Sequence, residues 1–448
     1  MQRIELNGLT DEARLNGLHW TVLAWCFGLL IIDGYDLAIV GAALPAIMQA
    51  MGNDATSAGF MASSGLVGMV LGAILFGTLA DRIGRRRVVA LCVLLFSVFT
   101  AASGLAHEPL TFSALRFVAG IGMGGAVPNV VSLMSEYAPR KVRNVLMTLM
   151  CCGYALGSML AALMGKQLLT AYGWQSVFYV AAVPMLLIPL ILGHMPESLA
   201  FTLRKQGSAA LLATARRLRP ELQLGAQCEF VLAQVDQHTG DSIGRLFSEG
   251  RGVSTVMFWV SGIAGLFVLY ALSSWLVKLM NMAGHDLGSA LNYLIAFNTG
   301  GLLGAVIGGW AGDRLGLKWV SFVLFVVGAL TLLLLAHGAQ PLSLVVMLVG
   351  ASTMGTQLLV YIYTAQFYPA SIRSTGLGFA TGLGRIGAVS APIVIGFLVT
   401  LQLPLMGNFL VIACVSLGGA VAIALVDERA SAYQRRPLPL AGESPRTE

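Results

Sequence analysis

Only 11% of the 448 residues are charged and 57% are hydrophobic, against roughly 25% charged in an ordinary soluble domain, which excludes a water-soluble enzyme. The formal charge of +6 does not mark a nucleic-acid binder, because the basic residues are scattered between apolar stretches and not gathered into a patch. Six cysteines without a CxxC or metal-ligand spacing predict free thiols, with neither disulfides nor zinc.

In chain order, the first residues carry Arg3, Glu5, Asp11, Glu12 and Arg14, which leaves no room for the apolar core of a leader, so the first span is expected to stay in the mature protein. A spanning helix needs about 20 apolar residues. Twelve such spans are predicted, at Leu18–Met48, Thr56–Ala80, Val88–Ala106, Leu110–Leu133, Asn144–Leu168, Trp174–His194, Val253–Met280, Leu287–Gly312, Leu317–His337, Pro341–Gln366, Thr375–Leu401 and Leu405–Val426. They are continuously apolar and lack the period-2 alternation of a barrel strand, so the expected class is an all-α polytopic membrane protein. All Lys and Arg except Arg116, Lys166, Lys278 and Arg385 fall in the termini and in or at the border of every second connection. The positive-inside rule then puts both termini in the cytoplasm, and a bacterial-type inner membrane is the expected location.

The chain repeats itself. Gly77–Arg87 (GTLADRIGRRR) resembles Gly309–Lys318 (GWAGDRLGLK), and Glu136-Tyr-Ala-Pro139 with Arg143 lines up with Gln366-Phe-Tyr-Pro369 with Arg373, both pairs about 230 residues apart. An even number of spans per repeat makes the repeat parallel. The predicted organisation is a cytoplasmic N-terminus at 1–17, a six-helix bundle at 18–194, a cytoplasmic loop at 195–252 with a helix around Ala209–Leu218, a second six-helix bundle at 253–426 and a cytoplasmic tail at 427–448. No GxxxxGK[ST] loop occurs, which disfavours an ATP-driven pump.

Gly77-x-Leu-Ala-Asp81-Arg82-x-Gly84-Arg85-Arg86 resembles the loop between the second and third spans of the major facilitator superfamily, and the resemblance covers nearly the whole chain. It implies the major facilitator fold of twelve transmembrane helices in two six-helix bundles. It also implies a cytoplasmic latch formed by Gly77, Asp81, Arg82, Gly84 and Arg85, with Asp313 and Arg314 in the repeat and Glu136 and Arg373 as further charged positions. The arginines also serve as topology anchors, and the repeat keeps Asp313, Arg314 and Gly316 but not the arginine cluster.

Ile31-Ile32-Asp33-Gly34-Tyr35-Asp36-Leu37 places two carboxylates in the middle of the first span. Each costs about 2.5–3.5 kcal/mol at a helix centre on insertion scales, so the two demand partners, protons or a water-filled cavity. Three residues apart, they share one helix face. Asp-Gly-Tyr-Asp in this place resembles the Asp-Gly-x-Asp motif of the aromatic acid:proton symporter family, and Gly41-Ala-Ala-Leu-Pro45 after it looks most like the benzoate-transporting branch. That resemblance implies import of a small aromatic carboxylate together with protons by alternating access. Other facilitator families also hold an acid in the first span, which leaves a carrier of another organic acid, a sugar or a drug open.

Two arginines supply the opposite sign. Arg116 begins Arg-x-x-x-Gly120-x-Gly122-x-Gly124-Gly125, which resembles a facilitator motif whose arginine takes part in proton coupling; as a residue some six positions from the outer end it also fits an interfacial anchor. Arg385, in Gly382-Leu-Gly384-Arg385-Ile-Gly387, is the candidate for the substrate carboxylate, with pairing to Asp33 or Asp36 as the alternative. Tyr154, Phe267, Tyr270, Trp275, Phe297, Tyr361 and Tyr363 are placed to line a cavity or to pack, as are the polar residues Asn298 and Gln357. No catalytic residue, metal site or cofactor is expected. The expected partners are an aromatic acid, protons and the lipid bilayer, with neither nucleic acid nor ATP, for a monomeric protein. A drug antiporter ranks lower because Gly153-Tyr-Ala-Leu-Gly157-Ser158 in the fifth span lacks a Gly-Pro step, and a chemoreceptor ranks last because the central loop carries no recognisable signalling domain.

Overall fold

A computed structural model describes residues 3–222, 228–231, 244–369 and 372–431. Twelve of its helical segments are long and apolar enough to cross a membrane, at the twelve places expected. The first runs Gly17–Met51, opened by Asn16, whose side chain accepts from the Leu18 N–H while its own N–H donates to His19 Nδ1. The second, Ala55–Ile83, is capped by Asp54, which accepts from the Ser57 N–H. It stops at Gly84, whose φ of +96° few other residues tolerate, and the third, Arg85–Ser103, begins at once. The fourth and fifth are Pro109–Tyr137 and Arg143–Tyr172.

The sixth span differs from expectation. The apolar stretch reads as one helix, but it is broken into Gln175–Val180, a 3-10 turn at Val183–Leu187 and Ile188–His194. Pro184 and Pro189 are the reason: each lacks the N–H that an unbroken helix requires. Beyond it, Ser198 caps a helix at Leu199–Leu218 that bends at Gly207 (φ +80°), longer than the segment expected. A further departure is a two-stranded parallel ladder, Arg3–Glu5 on Glu229–Val231. Three-residue strands bearing charges carry no periodic signal, so composition and pattern leave them invisible.

The chain divides into two compact units. The first comprises Met1–Gln237, Ala271–Thr299 and Val389–Leu405, and the second His238–Tyr270, Gly300–Ala388 and Met406–Glu448. The boundary therefore runs through the seventh (Gly252–Met282), eighth (Leu287–Leu315) and eleventh (Arg373–Thr400) spans. Close glycine approaches explain the membership of the first unit. A Cβ on Gly41 would stand 2.1 Å from Ser273 O, and one on Gly59 2.5 Å from Pro392 O. Ser63 Oγ donates to Val389 O at 2.8 Å, and Trp275 Nε1 donates to Pro392 O at 3.0 Å.

Within that unit the second and fourth spans meet backbone to backbone. A Cβ on Gly120 would lie 2.0 Å from Gly65 O, and one on Gly72 2.0 Å from Ile121 O, so the glycine-rich run after Arg116 is a packing surface. The second unit is knitted by aromatic rings. Phe258 sits edge-on to Tyr363 and Phe367, with centroids 5.0 and 5.1 Å away, and Tyr368 Oη donates to Thr255 Oγ1 at 2.9 Å.

Candidate functional site

Asp33 and Asp36 lie on the first span, each only 1% exposed. Their backbone is pinned from the fifth span: a Cβ on Gly34 would be 2.1 Å from Tyr154 O, and Ser158 Oγ donates to Gly34 O at 3.2 Å. Tyr35, between the acids, donates from Oη to Val177 O at 2.9 Å. The glycine is therefore a structural requirement of the Asp-Gly-Tyr-Asp sequence, since only a hydrogen side chain lets the two helices come this close.

Arg116 reaches Asp36 from the fourth span. Its Nη1 donates to Asp36 Oδ1 and Oδ2 at 3.1 and 3.2 Å and to Thr100 Oγ1 at 2.8 Å, and its Nη2 donates to the Asp36 carbonyl at 3.2 Å. It is 3% exposed, so the interfacial anchor is ruled out for this arginine. The arginine on Asp36 is therefore Arg116, not Arg385. A buried charge pair is tolerable only when its spare lone pairs and protons are also bonded, and Thr100 and the Asp36 carbonyl do that here. Thr100, on the third span, escaped the sequence reading because a threonine in an apolar run gives no signal. Asp33 lies near Cys92 of the same span, so the first, third, fourth and fifth spans converge on the two acids.

In the second unit, half-buried Arg385 stands near Tyr361, and Gln357 and Tyr270 border the same phenol. Both polar atoms of Gln357 are buried and make no hydrogen bond of ordinary geometry among the described residues. A guanidinium, an amide and two phenols thus share one neighbourhood, chemistry suited to a carboxylate on an aromatic ring. Of the other aromatic candidates, Trp275 and Phe297 are fully buried in the first unit, and Tyr363 belongs to the ring cluster of the second. Asn298 donates to Leu294 O on its own helix at 2.8 Å.

The charged loop of the first unit forms a compact cluster. Arg85 is ion-paired with Glu136. Glu136 Oε2 also accepts from Ser198 Oγ at 2.8 Å and from the Leu199 N–H at 3.0 Å. Glu197, passed over in the sequence, is equally central: its Oε1 accepts from the N–H groups of Arg85, Arg86 and Ser198 at 2.8, 3.2 and 2.9 Å. Its carbonyl accepts from Tyr137 Oη at 2.8 Å. Asp11, on a short helix before the first span, pairs with Arg143 at 2.5 Å, a contact across 132 positions that local reading does not reach.

The remaining latch candidates are less engaged. Asp81 and Arg82 are exposed, and a Cβ on Gly77 would meet nothing within 4 Å among the described residues. In the second unit Asp313, Arg314 and Arg373 are exposed, and Arg314 lies 4.4 Å over the ring of Trp310. Among the described residues no group of three or more His, Cys, Asp or Glu is arranged to hold a metal. All six cysteines are free thiols.

Twelve apolar helices with a compensated charge pair buried among them define a polytopic membrane protein of the carrier type. A Major Facilitator Superfamily profile matches residues 26–298, and the chain belongs to that superfamily. It is 38% identical to the benzoate transport protein of Acinetobacter baylyi over 455 aligned residues, covering 100% of this chain and 97% of that one. It is 32% identical to the 4-hydroxybenzoate transporter PcaK of the same species over 394 residues, 86% of each chain. The solved structure of the xylose transporter XylE from E. coli, in a partially occluded inward-open conformation, matches with a TM-score of 0.70 over 90% of this chain and 98% of that one, at 17% identity. That likeness shows the major facilitator fold and nothing about substrate.

Proposed function

We propose that this protein imports a small aromatic carboxylate, benzoate or a close relative, together with protons. The observation that carries the reading is the buried Asp36–Arg116–Thr100 network with Asp33 one helical turn away, in a chain alignable end to end with a benzoate transport protein. Benzoate is an anion at neutral pH, and bringing a negative charge in against an inside-negative potential costs about 2.3 kcal/mol per 100 mV. One proton per anion makes the cycle electroneutral and lets a pH gradient drive it.

Asp33 and Asp36 are the proton carriers in this reading. Arg116 holds the charge of Asp36 when it is ionised, and protonation of the aspartate weakens that grip, which gives the proton a means of loosening contacts between spans. Arg385, with Gln357, Tyr361 and Tyr270 nearby, receives the substrate carboxylate. The cluster of Arg85, Glu136 and Glu197 acts as the latch, with the basic face toward the cytoplasm as the charge distribution of the loops supports.

The test is binding of benzoate to the purified carrier in detergent from about pH 5 to 8. The expected result is tighter binding at the acid end, lost in Asp33→Asn and Asp36→Asn, with competition by hydroxylated benzoates but not by a sugar. Affinity indifferent to pH in the native protein contradicts the coupling, and competition by a sugar contradicts the substrate class.

A further inference from the structure

The loop after the second span and its repeat after the eighth are copies of one design, and the same corner of each unit is filled differently. In the first unit Gly84 turns with φ +96°, Arg85 pairs with Glu136, and Glu197 accepts from the main chain. About 230 residues on, Gly316 repeats the turn with φ +90° and Glu428 follows the twelfth span as Glu197 follows the sixth. Leu317, however, stands in the place of Arg85, and Gln366 in that of Glu136.

The packing follows the substitution. A Cβ on Gly84 would come within 2.5 Å of Glu197 Oε2, whereas one on Gly316 would meet nothing within 4 Å among the described residues. The space is a cavity of about 490 Å³ walled by Asp313, Leu317, Tyr363, Gln366, Phe367 and Glu428. Tyr363 is 6% exposed, and its hydroxyl stands beside Glu428 without a hydrogen bond of ordinary geometry among the described residues. Two basic residues of the same turn are committed elsewhere: Lys318 Nζ donates to Val426 O at 2.7 Å, and Arg314 lies over Trp310.

We propose that this cavity binds a guanidinium group. Two carboxylates, an amide oxygen and a phenol oxygen supply acceptors for its five donors. The corresponding corner of the first unit already holds one, that of Arg85. A divalent cation fits less well, since it takes six or more oxygen ligands and among the described residues no cluster of three or more His, Cys, Asp or Glu is present. The guanidinium has two available sources. One is a free small molecule; the other is the chain's own Arg435 and Arg436, which follow the cavity-wall residue Ser431 by four and five positions in sequence.

The experiment reads the unfolding temperature of the purified full chain in detergent against millimolar ethylguanidinium chloride, with sodium chloride at equal ionic strength as the baseline. The native protein, an R435Q/R436Q variant, Glu428→Gln and Leu317→Arg are compared. The expected result is a saturable rise of about 2 °C or more in the native protein or in R435Q/R436Q, abolished by Glu428→Gln and by Leu317→Arg. A rise in the native protein identifies a site open to a free small cation; a rise only in R435Q/R436Q identifies the chain's own arginines as the occupant. Should Leu317→Arg fail to fold, the near-isosteric Glu428→Gln carries the test. Absence of a saturable rise in both the native and R435Q/R436Q proteins overturns the proposal, as does a rise that survives Glu428→Gln.

Discussion

The corresponding charged sites of the two units are compensated differently. In the first, three acids are each met by an opposite charge or by main-chain donors: Asp36 by Arg116, Glu136 by Arg85, Glu197 by three N–H groups. In the second, Arg385 is set among neutral polar groups, and the corner that mirrors the Arg85 pair has lost its arginine. The difference teaches that a repeated fold need not repeat its electrostatics. In the proposed cycle the Asp36–Arg116 pair of the first unit is where a proton acts, and Arg385 of the second is where the anion is received.

The sharpest way to break this contrast is to unbalance the first unit. Asp36→Ala leaves Arg116 buried without its carboxylate, and is expected to lower stability by about 3–5 kcal/mol and abolish uptake. Asp36→Asn combined with Arg116→Gln removes both charges, and is expected to recover most of the stability but none of the uptake. Thermal unfolding in detergent alongside an uptake assay separates the two; equal stability of Asp36→Ala and the double variant would mean that the pair is not a coupled unit.

The two glycine turns give the next largest contrast. Both Gly84→Ala and Gly316→Ala strain a positive φ, at about 1 kcal/mol, but only the first also displaces Glu197 from its three donors. Gly84→Ala is therefore expected to unfold at the lower temperature by a margin of about 1–2 kcal/mol. In the second unit, Arg385→Lys keeps the charge and loses the planar fork. It is expected to raise the apparent KM for benzoate by about tenfold while leaving stability within about 0.5 kcal/mol. An unchanged KM would remove Arg385 from direct contact. The smallest effect is expected from Glu197→Gln, about 1 kcal/mol in stability, because the amide oxygen still accepts from part of the donor set.

Much of this was legible in the residues. Apolar runs specify membrane helices almost by themselves, because a bilayer leaves an unpaired backbone no other solution, and the twelve spans lie where hydropathy places them. The acids of the first span announced themselves by the cost of burying them. What remained hidden depends on contacts distant in sequence. That Arg116 meets Asp36 across 80 positions follows from how the glycines of the fourth span dock on the second, and that Thr100 completes the pair follows from the same packing. The break in the sixth span was readable from Pro184 and Pro189, but an apolar average over the stretch conceals it. The Glu197 cluster required knowing that a residue after the sixth span returns to the end of the second.

The central claim, proton-coupled import of an aromatic acid with Asp36 in the coupling, is tested most directly by initial-rate uptake of labelled benzoate into cells expressing the chain. Native protein and Asp36→Asn are compared, each with and without a protonophore. The account predicts saturable uptake by the native protein that collapses with the protonophore and is absent in Asp36→Asn. Uptake that is unaffected by the protonophore, or that survives the substitution at full rate, would contradict it.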